Sequence, residues 1–277
     1  IGTMTYISTN GEFGALGHWQ IGLHIQQDSV FSVALTPARA GWALRRWWHI
    51  PLPLGTVENG QLKAPQQLLT TLSPWRKSLP QRHRVRLAFP AARTLQRKLP
   101  RPAMALRENE LASWVSHAMA RELEMAAAEL RFDYTEDALA QAYSVTAAQH
   151  KEVAEMLELA TSLHLNLASL TPDACALQYL VPFLPPPAHC LIWEDGTQWL
   201  WATRTGWGRR SREDQPTVNQ LSASLGLDIT DIALCTAAAP DFDPWCAIVQ
   251  RQPPLPKNGM RFAVDRKSTR LNSSHSS

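Results

Sequence analysis

Two short polar turns, each set between apolar β-rich runs, hold the residues best placed to bind phosphate. The first is Gln26-Gln27-Asp28-Ser29. Trp19, Ile21, Leu23 and Ile25 alternate with Gln20, Gly22 and His24 before it, and Val30, Phe31, Val33 and Leu35 follow it. Period-2 alternation around a tight turn reads as a β-hairpin. Backbone N–H groups of such a loop can cradle a phosphate where glycine lets them approach closely. The turn is therefore either a plain turn or a phosphate-binding loop that has lost its chemistry, and that choice decides whether the protein is an enzyme. The second turn, Glu194-Asp195-Gly196-Thr197, joins the strand His189 to Trp193 to the strand Gln198 to Thr203. Asp-Gly is also a common hairpin turn, and the plain turn is the favoured reading.

Other chemistry-bearing residues have ordinary explanations. His117 lies beside a helical apolar stripe with no second ligand at helical spacing, so it reads as a packing or surface histidine. Asp133, Glu136 and Asp137 could form an acid–base cluster, but they lie in or beside a hairpin loop, where carboxylates are usually solvated. Arg45, Arg46, Trp47 and Trp48 could stack and clamp single-stranded nucleic acid. A half-buried strand with its arginines in water explains them as well. The four cysteines, Cys175, Cys190, Cys235 and Cys246, form no CxxC or CxxH pair, which argues against a metal or redox motif and suits a reducing compartment.

The 277 residues suffice for one large domain or two ordinary ones, and 45% apolar residues with 11 Trp imply a substantial core. A net charge of +3 is too weak to argue for nucleic acid by itself. No apolar run approaches the roughly 18 residues needed to span a bilayer, and no secretory signal is present, so the expected location is cytoplasmic. Residues 1–17 are expected to be a non-native or disordered extension, and residues 266–277 (RKSTRLNSSHSS) an artefactual or disordered tail.

The elements that would position the two turns follow in order. Trp42 to Ile50 reads as a third strand, residues 64–79 as a helix up to Pro74, and Arg82 to Phe89 and Thr94 to Leu99 as strands. Glu108 to about Met125 is a helix, with Leu111, Trp114, Val115, Ala118, Met119 and Leu123 as its apolar stripe. Glu108 and Glu110 complement its dipole. Leu130 to Tyr134 and Ala142 to Ala147 read as paired strands, Gln149 to Leu163 as a second amphipathic helix, and Leu165 to Leu170 as a strand. Thr171-Pro172-Asp173 opens a helix expected from about Asp173 to Leu180, with Thr171 a good N-cap and Pro172 fitting the first helical position. The proline run at 182–187 marks a linker. Beyond the second hairpin, Gln215 to Leu225 reads as a helix, Ile229 to Cys235 as a strand, Ala237 to Trp245 as a connection and 252–259 as extended. The second part thus begins as the first did: one structural unit used twice.

This plan, hairpin-led unit, inserted module, linker, hairpin-led unit, resembles the actin-like, ribonuclease-H-like ATPase superfamily. The first hairpin looks like that of the type IV pilus assembly protein PilM family, relatives of the cell-division protein FtsA. The family's first loop typically reads IGLDIGSSSVK, and here the frame IGL-x-I-x-x-x-S-V runs from Ile21 to Val30. The stretch Ala147 to Leu177 resembles the family's "A-x-K-E…A-G-L…D-x-x-x-x-A-L" run. WQIGLH, LPQRH, LAFPA-x-RTLQR, LRFDY, VTAAQ, TPDA-x-ALQ, QWLWATR, FDPW and RQPPLP bring the likeness closer to an enterobacterial branch of that family, over about residues 19–265. The implied fold is α/β, ribonuclease-H-like or actin-like, with an inserted α+β module and a truncated second lobe. The implied boundaries are 18–81 for the first unit, 82–170 for the inserted module, 171–187 for the helix and linker, and 188–265 for a shortened second unit.

In the superfamily, nucleotide sits between the two hairpin loops, and an aspartate of a D-x-G in the first loop positions the Mg²⁺-bound water. Here the aspartate position is His24, a poor substitute for a hard oxygen ligand. The glycine position is Gln26, whose side chain would crowd a γ-phosphate. In the second hairpin Trp193 stands near the aspartate position. After the Ile229 to Cys235 strand, Thr236-Ala237-Ala238-Ala239-Pro240 lacks the expected Gly-Gly. Gly22, His24, Gln26, Ser29, Asp195, Gly196 and Thr197 are thus degenerate nucleotide loops, with no ATP or Mg²⁺ cofactor and no catalysis expected. The resemblance implies a non-enzymatic scaffold, peripheral to an inner-membrane assembly platform and open to self-association. It would bind the cytoplasmic N-terminus of a PilN/HofN-like membrane protein and be linked to DNA uptake and use of DNA as a nutrient. That peptide would dock between the first unit and the inserted module, against the Val85–Leu99 strands and the Glu108–Met125 helix. A working actin-like ATPase is the alternative. A DNA-binding module using Arg45, Arg46, Arg82, Arg84, Arg86, Arg93, Arg97 and Lys98 is a third reading, weakened because these charges are dispersed and balanced by acids, so no direct nucleic acid binding is expected.

Overall fold

The computed structural model describes residues 18–38, 41–137 and 139–236. The chain runs β1 (Trp19–Ile25), β2 (Ser29–Ala38), β3 (Gly41–Pro51), β4 (Val57–Glu58), β5 (Gln61–Leu62) and α1 (Pro65–Lys77). Then follow β6 (His83–Phe89), β7 (Leu95–Pro100), α2 (Glu108–Glu122), β8 (Leu130–Asp137), β9 (Ala142–Gln149), α3 (His150–Ser162), β10 (Leu167–Pro172) and α4 (Asp173–Leu177). The last elements are β11 (Cys190–Glu194), β12 (Gln198–Ala202), β13 (Trp207–Ser211), α5 (Val218–Leu225) and β14 (Ile232–Thr236).

The alternation in the first hairpin sorts its side chains onto two faces. Ile21, Leu23 and Ile25 join Val85, Leu87 and Phe89 of β6 in a core closed by Leu68, Leu72 and Trp75 of α1 and by Val153, Met156 and Leu159 of α3. The sheet that carries them has the order β10-β6-β1-β2-β3. β1 pairs antiparallel with β2 and parallel with β6, and β6 pairs parallel with β10. The second sheet has the order β13-β12-β11-β14, again with an antiparallel hairpin and a parallel neighbour, β14, beside its first strand. In each sheet the third, second, first and fourth strands lie side by side, so one unit is used twice. This is the actin-like, ribonuclease-H-like arrangement that the sequence led us to expect.

The inserted strands form a separate sheet, β7-β9-β8, under α2. The span expected for this module, 82–170, was too wide: β6, α3 and β10 belong to the first sheet and its core. Parallel strands need a long crossover, and here the crossover from β6 to β10 contains the insertion. α2 begins with the Glu110 carboxylate accepting the Arg107 N–H at 2.8 Å, which satisfies a free donor of the first turn.

Other expectations also shift. α1 continues through Pro74 to Lys77, anchored by buried Trp75. Pro172 is the N-cap residue and the last residue of β10, so Thr171 lies in the strand, and α4 stops at Leu177. β13 was not foreseen; neither were β4 and β5, a hairpin turned by Asn59-Gly60, both at positive φ. The Ala237 to Trp245 connection, residues 252–259 and the two outer segments, 1–17 and 266–277, lie outside the described residues. Among the described residues, no helix is long and apolar enough to cross a membrane.

Candidate functional site

β1 and β2 bring His24 opposite Phe31 in the hairpin register. His24 points to the N-terminus of α4, where its Nε2 lies 3.3 Å from Asp173 Oδ2. Its Nδ1 is 3.4 Å from Gln26 Nε2. With Gln26 donating to Nδ1, the matching tautomer carries its proton on Nε2 and donates to Asp173. The other carboxylate oxygen, Oδ1, accepts the Ala91 N–H at 2.9 Å and the Ala174 N–H at 2.7 Å. Asp173 and Gln26 are buried. Thus His24 and Gln26, expected as degenerate loop residues, do meet, and they meet an aspartate the sequence reading did not single out. The available signal was its place just after Pro172, inside the TPDACAL stretch of the resemblance.

The remaining loop residues do less. Gly22 lies in mid-strand between Val33 and Arg86; a Cβ built there meets nothing within 4 Å, and its carbonyl accepts the Ser32 hydroxyl at 2.9 Å. Ser29 is buried at the start of β2, and its carbonyl accepts the Gln26 N–H at 2.9 Å. In the second turn, Asp195 Oδ1 accepts the Thr197 N–H, the Thr197 hydroxyl and the Gln198 N–H at 2.9–3.0 Å, while Oδ2 accepts Gln198 Nε2 at 2.8 Å. This carboxylate holds its own hairpin together. Gly196 supplies the positive φ of that turn, +91°. Among the described residues, no hydrogen bond or ion pair links this turn to the first.

What joins the two hairpins is apolar. Phe31 of β2 and Trp193 of β11 are both buried and meet edge to face, with ring centroids 5.9 Å apart. Around them pack Leu191, Leu200, Ala202 and Trp207 of the second sheet, Ala174 and Cys175 of α4, and Ala91 and Val181 from the segments before β7 and after α4. On its other side Phe31 stacks on His49 at 4.5 Å. Burial pushes the His49 pKa below its ordinary value, favouring the neutral ring. Gln178 Nε2 donates to the Thr203 carbonyl at 2.9 Å, and Gln96 Nε2 of the inserted sheet donates to the Trp207 carbonyl at 3.1 Å. Between the two hairpins the structure thus places an apolar cluster around Phe31 and Trp193, with the His24–Asp173 pair beside it.

The secondary candidates separate in the same way. His117 Nδ1 is 2.7 Å from the Ser113 carbonyl of its own helix, on the wall of a shallow depression with Leu106, Glu110 and Trp114. Of the three carboxylates expected near a solvated loop, all lie on β8. Asp133 is buried, Glu136 pairs with Arg101, and Asp137 pairs with Lys98 at 3.7 Å. Arg46 lies over Trp48, which packs in the core against Trp75, so that pair is structural. The groove expected along Val85–Leu99 cannot use Val85, Leu87 and Phe89, which are core residues of a central strand. β7, an edge strand with Leu95, Gln96, Arg97 and Lys98 exposed, remains available. No group of three or more His, Cys, Asp or Glu placed to hold a metal occurs among the described residues.

Comparison with known proteins gives the family. The chain is 49% identical over 246 residues, 89% of its length and 94% of the other's, to the DNA utilization protein HofM of Escherichia coli strain K12. The chain belongs to the HofM family. No protein-family model matches the chain. Among solved structures, the cytoplasmic domain of EpsL, an inner-membrane component of the type II secretion system of Vibrio cholerae, aligns with a TM-score of 0.56 at 10% identity, over 84% of this chain and 94% of that one. A PilM–PilN type IV pilus biogenesis complex aligns with a TM-score of 0.54 at 21% identity, over 76% of this chain and 66% of that one. At such identities the two structures speak for the shared fold, which is the PilM-like, actin-like fold that the first hairpin resembled. In this HofM-family chain, Phe31 meets Trp193 and His24 meets Asp173 between the two hairpin-led units.

Proposed function

We propose that this protein is a non-enzymatic scaffold of a type IV pilus-like assembly platform at the inner membrane, linked to the utilization of DNA. It would work in the cytoplasm by binding the N-terminal peptide of a PilN/HofN-like membrane protein. The observation that carries the non-enzymatic part is the buried Phe31–Trp193 contact between the two hairpins, where a nucleotide-using relative needs open, polar space. The assembly role is supported by the 49% identity to a DNA utilization protein and by the fold shared with a PilM–PilN complex. An exposed edge strand in the inserted sheet, β7, suits an extended peptide, because its outer backbone groups can pair with an added strand. The loop residues Gly22, His24, Gln26, Ser29, Asp195, Gly196 and Thr197 keep a structural role only.

Calorimetric titration of the full chain with the partner's N-terminal peptide tests the binding. Saturable binding at or below high micromolar concentration is the expected result, and no heat at that concentration counts against it. Mg-ATP added to the same protein should leave its melting temperature unchanged. A stabilisation that grows with ATP concentration would restore the ATPase reading.

A further inference from the structure

The junction between the two hairpin units has the composition of a core, not of a cleft. Relatives that clamp a ligand between two lobes need a junction that opens, and opening exposes polar walls to water at little cost. Here the walls are Phe31 from one sheet and Trp193, Leu200 and Trp207 from the other, with Ala174 and Cys175 of α4 between them. All are at most 7% exposed. Opening would return two or three aromatic side chains to water, at roughly 25 cal/mol for each Å² of apolar surface. It would also strain the polar stitches around that core. Asp173, at the start of α4, holds β1 through His24 and the segment before β7 through the Ala91 N–H. Gln178, just after α4, holds the β12–β13 turn through the Thr203 carbonyl. α4 is thus tied to both units at its two ends and packed into the apolar core on its side.

From this arrangement we infer that α4 and the Phe31–Trp193 contact form a permanent latch, which holds the two units closed without nucleotide and fixes the angle of the inserted module. The module is included because Gln96 of β7 donates to the Trp207 carbonyl of β13, so the second unit braces the edge strand offered for peptide docking. A side chain of this protein performs the bridging that a bound ligand performs in a two-lobed clamp. In consequence, the docking surface is preset and answers to neither ATP binding nor hydrolysis. This last step rests on the scaffold reading; the latch itself does not.

Hydrogen exchange of the full chain, without any partner, tests the latch. In the wild type, amides of α4 and of β11–β12 are expected to be protected, and Mg-ATP should not change their protection. Trp193→Ala should speed their exchange by on the order of tenfold while α1 and β6 keep their protection. Because removing a buried tryptophan can unfold the chain, Phe31→Leu serves as the second variant: it keeps apolar volume and loses the ring edge. The same local acceleration, smaller in size, is expected. Trp193→Phe should restore most of the protection. The inference is overturned if neither variant speeds exchange at the junction, if both speed it everywhere alike, or if Mg-ATP slows it in the wild type. A wild type that binds the partner peptide yet shows a fast-exchanging junction would sink the latch and leave the scaffold reading standing.

Discussion

Asp173 Oδ2 receives the Nε2–H of His24 at 3.3 Å, while its Oδ1 caps the Ala91 and Ala174 N–H groups. One carboxylate therefore reaches a histidine 149 positions away in the chain and closes the start of α4. The two backbone donors are buried with it, so removing the acceptor costs more than the hydrogen bonds themselves contribute. Asp173→Ala should destabilise the protein by about 3 kcal/mol or more, and Asp173→Asn, which keeps an acceptor oxygen, by about half as much. His24→Ala should cost only about 1 kcal/mol, because that ring is 17% exposed and its loss leaves Asp173 with two partners. Urea denaturation of the three variants gives the ranking. Equal losses for alanine at 24 and 173 would show that the backbone caps contribute little.

Gly55 and Gly60 share a positive φ, +77° and +80°, but differ in their surroundings. A Cβ on Gly55 meets nothing within 4 Å, whereas one on Gly60 comes within 2.8 Å of Pro90 Cβ and 3.1 Å of Arg93 Cγ. Gly55→Ala should cost about 1 kcal/mol, the backbone strain alone. Gly60→Ala adds a collision with the segment that leads into β7, and should cost about 1–3 kcal/mol more. Thermal melts of the two variants measure the difference. Equal melting temperatures would mean that the β4–β5 turn can move away from Pro90.

The first hairpin, α2 and α3 were legible because a single periodicity fixes each of them: Ile21, Leu23 and Ile25 on one face, Val153, Met156 and Ala160 along one stripe. The repeat of the hairpin-led unit was legible for the same reason. β13 was hidden because Trp207–Ser211 owes its strand to a neighbour: Gly208 is the residue that leaves room for the Trp201 ring, 3.0 Å from where a Cβ would stand. The width of the insertion was misread because β6 and β10 pair in parallel across more than seventy residues, and no local pattern marks which strands share a sheet. The site was half legible. His24, Gln26 and Trp193 stood out as departures from the loops that the resemblance implies, but their partners, Asp173 and Phe31, are tertiary neighbours. Pro172 marked the helix start at about Asp173, where α4 does begin, but Pro172 and not Thr171 is the N-cap, because Thr171 still lies in β10.

Arg93 donates from Nε and Nη2 to the same oxygen of Glu152, at 2.7 and 2.5 Å, and Gln61 Nε2 lies 3.3 Å from that oxygen. Three segments, β5, the entry to β7 and α3, thus meet at one carboxylate that is 12% exposed. Removing one partner of a buried pair leaves the other charge desolvated. Glu152→Ala should cost about 3 kcal/mol and Glu152→Gln clearly less. The double variant Glu152→Ala/Arg93→Ala should cost less than the sum of the single variants. Because the pair is shielded, the loss should change little between low and high salt. A double-mutant cycle in two salt concentrations checks both statements, and additivity would show that the pair does not tie the module to α3.

Two buried thiols make the stability fall in alkali. Burial pushes the Cys175 pKa up to about 12, helped by the charges of Asp133 and Asp173, and pushes Cys190 up to about 11. In the unfolded chain both return to about 9. The folded values are raised, so the folded state favours the neutral thiol. The contribution is complete below pH 9 and is lost as the pH climbs from 9 towards 11 and 12, where only the unfolded chain ionises. The slope is about 1.4 kcal/mol per pH unit for each thiol. Cys175→Ala and Cys190→Ala should each flatten the decline of unfolding free energy between pH 9 and 10.5 relative to the wild type, whatever their stability at pH 7. The same burial predicts that iodoacetamide at pH 8 labels neither thiol until the protein unfolds, since the thiolate is the nucleophile. Mass spectrometry of native and urea-treated protein reads this directly, and rapid native labelling at Cys175 would show that its surroundings open far more readily than the packed junction allows.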